Sequence, residues 1–357
     1  MADPFFHQTY HKSSTKKLAV CLFGVLTIAG VFAFSTNLRP AQPSKFAIQA
    51  FELLEEEFQD FIIKYHKNYA SEEEYQQRLI IYKQNSELVR VHNSLNLEWA
   101  LGINEFSDMT FEEFKKIYLS SYYGYTRNRE IEEEKFSDIP TAVDWRTKGA
   151  VTAVQTQGPC ESGYAFASVG AIESAWFLAG HSLIACSAQE VLDCSKSYGN
   201  HQCAGGANDF AFNFAIKNGL VAEQKYPYTA TNSTCKSSVI ANPVVYVSKL
   251  INVKANTPSA LLTAVAKQPV AIVVEANEVA WKNYRSGIVT RNCGTELDHS
   301  VLIVGYSNTT SNPYWIIKNS WGPDWGEKGY IRIGITSGQG VCGVNMVPSY
   351  PVAGTPP

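Results

Sequence analysis

Residues 157–166 read Gln157-Gly158-Pro159-Cys160-Glu161-Ser162-Gly163-Tyr164-Ala165-Phe166, and this stretch decides the fold of the chain. Ser162 is a residue type that caps helix N-termini. Apolar side chains then recur at helical spacing, at Phe166, Val169, Ile172 and Trp176. Gly180 can end such a run, because glycine readily adopts the backbone conformation that follows a helix C-terminus. The stretch therefore predicts a helix that begins next to Gly163 and ends before Gly180.

The same ten residues resemble the active-site segment of papain-family cysteine peptidases, which reads Q-G-x-C-G-S-C-W-A-F. The positions that keep this pattern are Gln157, Cys160, Ser162, Ala165 and Phe166. The family's nucleophilic cysteine falls at Gly163, and Glu161 and Tyr164 replace the family's glycine and tryptophan. This chemistry needs a thiolate at a helix N-terminus with an imidazole beside it. Because glycine has no side chain that attacks a carbonyl, the resemblance predicts a homologue without peptidase activity.

The other catalytic groups of the family have counterparts in this sequence. His299 lies in a Leu-Asp-His-Ser-Val segment that resembles the one carrying the family's general base. By the same resemblance, Asn319 orients this imidazole and Trp321 shields their hydrogen bond from water. Gln157 matches the side-chain donor of the oxyanion hole, whose other donor is the backbone N–H of residue 163. The resemblance also implies these substrate-binding residues: Gly205, Gly206, Ala207, Asp298 and Trp321.

Three further expectations concern the cleft. Glu161 places a carboxylate at its floor, where it can pair with a protonated His299. Ala207 and the two residues after it replace bulkier residues of the papain specificity pocket, which predicts a changed specificity. Ser162 is a poor substitute nucleophile, since one helical step turns a side chain about 100° away. A water molecule activated by His299 remains an alternative.

The segment before this domain is predicted to be helical over residues 51–110. Ser71 and Glu74 have the spacing of a capping box. One set of positions resembles the signature of papain-type inhibitory prosegments: Glu74, Arg78, Ile81, Tyr82, Asn85, Val89 and Asn93. Gly102 to Asp108 match a second element of those prosegments, which makes a plain helical hairpin the weaker interpretation. The resemblance implies that this prosegment covers the cleft and is a partner of the domain.

The predicted fold class is α+β, with a papain-like domain of two lobes at residues 139–355. The helical lobe extends to about residue 245, and a strand-rich, β-barrel-like lobe follows, with runs such as Val270–Val274. The cleft between the lobes is the expected substrate site. Residues 111–138 are predicted to be a linker, and their part from 121 onwards is the expected site of proteolytic cutting.

The N-terminus carries a targeting signal. A polar tail at residues 1–17 with three lysines precedes the apolar run Leu18–Phe34, which has the shortest length that spans a membrane. Residues 18–35 are interpreted as an uncleaved signal-anchor with a cytosolic N-terminus or as a cleaved signal peptide. Both alternatives send the remaining chain into the secretory lumen, with the lysosome or vacuole and the extracellular space as destinations.

The eight cysteines agree with an oxidising compartment. By resemblance to papain-like domains we pair Cys160 with Cys203, Cys194 with Cys235, and Cys293 with Cys342. Cys186 is left over and is interpreted as a buried, inert thiol. Two of the paired cysteines also flank His201 in a pattern that zinc could use, but an oxidising lumen favours disulfides. Asn232 and Asn308 begin possible glycosylation sequons.

The net charge of −3 gives no indication of a nucleic-acid partner. No metal or other cofactor is predicted. Three functional hypotheses remain. The first is an inactive homologue, a pseudoprotease, that holds a peptide or protein ligand in the old cleft. The second is an active endopeptidase with a non-standard nucleophile. The third is a dominant-negative competitor of active relatives.

Overall fold

The computed structural model describes residues 45–120, 139–309 and 311–356, with side chains from residue 53 onwards. The predicted N-terminal tail, the apolar run Leu18–Phe34 and residues 121–138 of the linker lie outside these ranges. The chain divides into two compact units, Met1–Leu53 and Leu54–Pro357. Within the described ranges, no helix has the length and apolar character needed to cross a membrane.

The predicted prosegment contains two long helices, α1 (Lys45–Lys64) and α2 (Glu72–Ser94). Ser71 caps α2, because its hydroxyl accepts a hydrogen bond from the Glu74 N–H at 3.2 Å. The Glu74 carboxylate in turn accepts from the N–H of Ala70, at 2.7 Å, rather than from Ser71. The capping box is therefore present with its return bond displaced by one residue. The two helices share a small apolar core formed by Phe58, Phe61, Leu79 and Tyr82.

A third helix, α3 (Phe111–Tyr118), lies where the sequence predicted the start of the linker. Thr110 and Glu113 form a complete capping box at its N-terminus. The side chain of Phe114 is fully buried and anchors the helix. The linker prediction missed this helix because eight residues are too few for a clear helical period, although the Thr-x-x-Glu signal was present.

The helical lobe is built around α4 (Gly163–Leu178), with α5 (Ala188–Cys194), α6 (Asn208–Asn218) and the short α7 (Ser237–Ile240). The prediction for α4 is confirmed at both ends, since Gly180 follows it with a φ of +98°. Ser162 occupies the N-cap position, but its side chain makes no capping bond. Side chains on nearly every face of α4 are buried. The buried surface of this helix is therefore wider than the apolar stripe inferred from the sequence.

The second lobe contains the strands and two helices. Their bounds are β2 (Ala142–Asp144), β3 (Val247–Asn252), α8 (Pro258–Lys267), β4 (Val270–Val274), α9 (Val279–Lys282), β5 (Tyr284–Val289), β6 (His299–Ser307), β7 (Tyr314–Lys318), β8 (Tyr330–Gly334) and β9 (Ser349–Ala353). With β1 (Trp99–Leu101) of the prosegment they form one sheet of order β1-β5-β8-β7-β6-β4-β9-β3, and β2 pairs with β6. The two-lobed α+β prediction is confirmed, but among the described strands this sheet is open and does not close into a barrel.

The prosegment is joined to the sheet by β1, which pairs antiparallel with β5 and places Trp99 opposite Gly287. Beyond β1, the side chain of Asn104 donates a hydrogen bond to the backbone carbonyl of Lys282 at 2.7 Å. Phe106 is fully buried, and its ring centroid lies 5.6 Å from that of Trp321. Backbone pairing and an aromatic anchor together make the prosegment an intramolecular partner of the domain, as predicted.

All three predicted disulfides are present: Cys160–Cys203, Cys194–Cys235 and Cys293–Cys342. The zinc interpretation of the region around His201 is therefore wrong, because both of its cysteines are bonded to other cysteines. Cys186 is a free and buried thiol, as expected.

Candidate active site

The first residue of α4 and the first residue of β6 meet at the base of the cleft. A Cβ atom placed on Gly163 would lie 2.9 Å from both Nδ1 and Cε1 of His299, and 3.0 Å from the carbonyl oxygen of Ser300. Real Cβ contacts are essentially never shorter than 3.0 Å. The imidazole of His299 therefore lies directly against residue 163 and would have to shift to admit a side chain there.

His299 is held in this position by two neighbours. Its Nε2 lies 2.8 Å from Oδ1 of Asn319, so Nε2 carries the proton and Nδ1 faces Gly163 without one. Trp321 stacks on the imidazole with ring centroids 4.7 Å apart. Burial lowers the pKa of His299 to about 4, against the opposing effect of the Asn319 hydrogen bond. The histidine is therefore neutral above about pH 5. The lone pair of its Nδ1 is directed at Gly163, which has no side chain.

Gln157 spans the contact between the two lobes. Its Oε1 accepts a hydrogen bond from the hydroxyl of Ser320 at 2.7 Å. Its Nε2 donates to the carbonyl of Cys160 at 2.8 Å and to the carbonyl of Tyr118, the last residue of α3, at 3.2 Å. The side-chain donor predicted for the oxyanion hole is thus fixed in place, and its N–H group already donates to the carbonyl at the end of α3. Sequence reasoning missed Ser320, for which a Ser directly after the predicted Asn319 was the available signal.

The expected ion pair between Glu161 and His299 is wrong. Among the described residues, no hydrogen bond or ion pair joins the two side chains. Burial raises the pKa of Glu161 to about 7, while burial lowers that of His299 to about 4. Removal from water disfavours the charged form of each group, so both are neutral at mildly acidic pH. The sequence could not reveal this, because burial is a property of the folded chain.

Ser162 is fully buried. Its hydroxyl lies 2.6 Å from the hydroxyl of Tyr228, which donates a hydrogen bond to the backbone carbonyl of Gln157 at 2.8 Å. The serine therefore fixes the loop before α4. Tyr228 was not among the predicted site residues, and nothing in its sequence surroundings indicated this contact.

The predicted substrate-binding residues are only partly brought together. Gly206 and Asp298 line a pocket beside Gly163 and His299, whereas Gly205 and Ala207 are buried and do not line it. Trp321 lies behind His299, under the prosegment. The full lining is Tyr118, Ser120, Glu161, Gly163, Tyr164, Gly206, Val273, Asp298, His299 and Ser300.

The end of α3 and the residues directly after it cover this pocket. Tyr118 and Ser120 form part of its wall, and the Ser120 N–H donates a hydrogen bond to the backbone carbonyl of Asp298 at 2.9 Å. Within the described part of the chain, no group of three or more His, Cys, Asp or Glu residues is arranged to hold a metal ion. The site is thus a small covered pocket between the lobes, lined in part by Glu161, Asp298 and His299.

This arrangement agrees with the family matches of the chain. Residues 139–352 match the papain family cysteine protease domain, and residues 58–114 match the cathepsin propeptide inhibitor domain. The chain therefore belongs to the papain family of cysteine proteases and carries the family's propeptide.

Similar proteins and solved structures agree with this assignment. Papaya proteinase 4 from Carica papaya is 37% identical over 346 residues, which cover 94% of this chain and 96% of the relative. Vignain from Ricinus communis is 40% identical over 300 residues, covering 81% and 83% of the two chains. Among solved structures, a recombinant stem bromelain precursor has a TM-score of 0.79 at 35% identity and covers 85% of this chain and 100% of its own. The proform of the ragweed pollen allergen Amb a 11 has a TM-score of 0.77 at 32% identity, covering 88% and 99%.

Proposed function

We propose that this protein is a catalytically inactive papain-family member whose cleft binds a peptide or a protein partner. The observation that carries the proposal is that residue 163, which lies directly against the imidazole of His299, has no side chain that could act as a nucleophile. In this proposal Gly163 stands at the position of the lost nucleophile. His299, Asn319 and Gln157 are then the remainder of the catalytic machinery.

The other candidate nucleophiles among the described residues are not suited to the reaction. Ser162 is buried and bonded to Tyr228, and Cys160 is in a disulfide. Cys186 is fully buried, and burial raises its thiol pKa well above the ordinary value, which disfavours the reactive thiolate. An endopeptidase that uses a water molecule activated by His299 is the remaining catalytic alternative. A dominant-negative competitor of active relatives would share the inactive site and differ in its partner.

The compartment follows from the disulfides and the family. Three disulfides in a papain-like domain indicate an oxidising lumen, which is secretory, lysosomal or vacuolar. A membrane anchor through residues 18–34 stays a prediction.

The wild-type protein is expected to hydrolyse no fluorogenic peptide at a measurable rate. The physical reason is that removing the nucleophile of a peptidase triad costs kcat a factor on the order of 10⁶. Turnover should be measured on the chain after an added protease, later inhibited, has cut residues 121–138. A matched His299→Ala preparation reports contaminating proteases. Turnover that survives repurification and disappears in His299→Ala would establish the water-based alternative instead.

The protein is also expected to be unable to remove its own prosegment, because that cleavage would need a nucleophile in the cleft. The complete lumenal part, made in a protease-free system, should keep its mass during incubation between roughly pH 4 and 7, which spans carboxyl and histidine titration. Addition of a trace of active endopeptidase is the positive control for an accessible linker. Loss of the prosegment without added protease, at a rate independent of protein concentration, would show that a functional nucleophile exists.

A further inference from the structure

The loop that follows Tyr228 carries the triplet Asn232-Ser233-Thr234, which the proposed function does not use. All three residues of this sequon are exposed. Asn-x-Ser/Thr is the acceptor triplet for N-linked glycans in secreted proteins, and a glycan needs a surface position because it is bulky. The three disulfides of the domain indicate the compartment in which these glycans are added. The sequon therefore has both the compartment and the exposure that the modification requires.

The backbone of the sequon loop is fixed by the helical lobe. The N–H of Ser233 donates a hydrogen bond to Oδ1 of Asp193 at 2.9 Å. The carbonyl of Ser233 accepts a hydrogen bond from Nε2 of Gln202, also at 2.9 Å. The disulfide Cys194–Cys235 attaches the residue directly after the sequon to the end of α5. The loop is thus held through its backbone and a neighbouring disulfide, while the sequon residues themselves stay exposed.

The two ends of the Asn232 side-chain amide have different surroundings. Oδ1 accepts a hydrogen bond from the backbone N–H of Cys203 at 2.9 Å. Because an N–H donor needs the oxygen of the amide, this bond determines which end of the amide faces Cys203. Nδ2 makes no hydrogen bond to any described residue, although it has two N–H donors. An aspartate would accept the Cys203 bond equally well, so this bond explains the oxygen at position 232 but not the amide nitrogen.

N-glycosylation changes only the nitrogen end of this side chain. The donor is an oligosaccharide linked to a lipid diphosphate. A bond forms between Nδ2 and C1 of the first sugar, the bond between C1 and the diphosphate oxygen breaks, and one proton of Nδ2 leaves with the diphosphate. The amide carbonyl is unchanged by the transfer. Oδ1 can therefore keep its hydrogen bond to Cys203 in the glycosylated protein.

We propose that Asn232 is a site of N-linked glycosylation, with the glycan on Nδ2 and the loop hydrogen bond retained through Oδ1. The inference does not depend on whether the cleft is catalytic or binds a partner. The attachment site is nevertheless connected to the candidate site. The carbonyl of Cys203 accepts a hydrogen bond from the N–H of Glu161 at 3.2 Å, and Glu161 lines the pocket. Two successive hydrogen bonds thus link Asn232 to the wall of the pocket.

The second sequon, Asn308-Thr309-Thr310, lacks a comparable argument. Asn308 is exposed, but Thr310 lies outside the described residues. Within the described ranges, no hydrogen bond fixes the orientation of the Asn308 side chain. This sequon is therefore the internal comparison for the test.

The test is to secrete residues 36–357 from a mammalian host cell behind an added, cleavable signal peptide. This form contains the whole compact unit Leu54–Pro357 and does not rely on the interpretation of residues 18–35. The purified protein is treated with a peptide N-glycanase, which removes the glycan and converts the modified asparagine to aspartate. When the treatment is done in water enriched in heavy oxygen, the new aspartate is labelled. Peptide mass mapping then identifies the modified position.

We expect the wild-type protein to lose mass on this treatment and the label to appear at position 232. Thr234→Ala should abolish the label at this position, because it removes the sequon while leaving Asn232 and its bond to Cys203 in place. Thr234→Ser is the matched control, since it keeps a hydroxyl at the third position, and it should retain the label. Thr310→Ala should leave the label at position 232 unchanged.

Asn232→Asp separates the glycan from the loop hydrogen bond. This variant keeps an oxygen that accepts from the N–H of Cys203 but has no nitrogen to glycosylate. We expect it to be secreted without a glycan at position 232 and to unfold at the same temperature as the enzymatically deglycosylated wild type. A variant that fails to fold would show that the fold itself needs the amide nitrogen, which would contradict the argument for a glycan.

Secreted wild-type protein without a label at position 232 would overturn the proposal, as would a label that persists there in Thr234→Ala. A label found only at position 308 would overturn it as well. Since the wild-type measurement needs no variant, this result does not depend on the folding of a mutant.

Discussion

Gly163→Cys alone is expected to be at least tenfold less active towards a fluorogenic peptide than the triple variant Glu161→Gly, Gly163→Cys, Tyr164→Trp. Both variants put a Cβ atom 2.9 Å from the imidazole of His299 and 3.0 Å from the carbonyl of Ser300, so this contact limits each of them and does not account for the difference between them. The histidine must move before a thiol fits. Its hydrogen bond to Asn319 and its stacking on Trp321 resist that movement.

The neighbours of residue 163 oppose rescue through charge and packing. Above about pH 7 the carboxylate of Glu161 raises the pKa of a nearby thiol, and each unit lowers the thiolate fraction tenfold. Tyr164 is buried against the cleft wall, and its hydroxyl donates a hydrogen bond to the backbone carbonyl of Gln202 at 3.3 Å. It thereby fixes the first turn of α4 in a packing that differs from the one expected with the family's tryptophan.

The features that favour rescue are the helix N-terminus, the His299–Asn319 pair and Gln157. Because these groups are still in place, we expect the triple variant to show a large increase in activity. A restored nucleophile is worth on the order of 10⁶ in kcat when the rest of a catalytic unit is intact. Gly163→Ala is the matched control, because it introduces the same Cβ contact without a thiol and should stay inactive. Equal rates for the single and triple variants would show that Glu161 and Tyr164 do not limit the site.

Phe106→Ala is expected to weaken the docking of the prosegment by about 3–5 kcal/mol, the usual cost of removing a fully buried phenylalanine side chain. The ring of Phe106 is fully buried and contacts the rings of Phe114, Tyr118 and Trp321. One of these partners, Trp321, belongs to the candidate site. Loss of the Phe106 ring should therefore expose the cleft as well as loosen the helical hairpin formed by α1 and α2.

Hydrogen exchange measures this effect directly. Amides of β1 and of the segment up to Ser120 should exchange about 10²–10⁴ times faster in Phe106→Ala, the factor that 3–5 kcal/mol corresponds to when opening is local. Amides in the centre of β6 should change little. Ile80→Ala is the control within the same prosegment, since Ile80 is 54% exposed on α2 and its removal creates no cavity. Unchanged exchange at β1 in Phe106→Ala would contradict the view that this ring anchors the prosegment.

Much of the fold was readable from the sequence because it depends on local pattern and on motif spacing. Apolar spacing predicted α4, and the Ser71–Glu74 signal predicted the start of α2. Resemblance to the papain family supplied the two lobes, the prosegment and the disulfide pairing. The short helix α3 and the open form of the sheet were missed, since the first has too few residues for a clear period and the second depends on pairing between distant strands.

For the candidate site, too, some features could be read from the sequence and others could not. The sequence alone determined that residue 163 has no side chain and that His299, Asn319 and Gln157 are present. Only the tertiary structure decided that the imidazole occupies the space beside Gly163 and that Glu161 and His299 are both neutral instead of paired. The physical reason is that residue types and spacings act along the chain, whereas desolvation and close contact arise between segments that are more than a hundred residues apart in sequence.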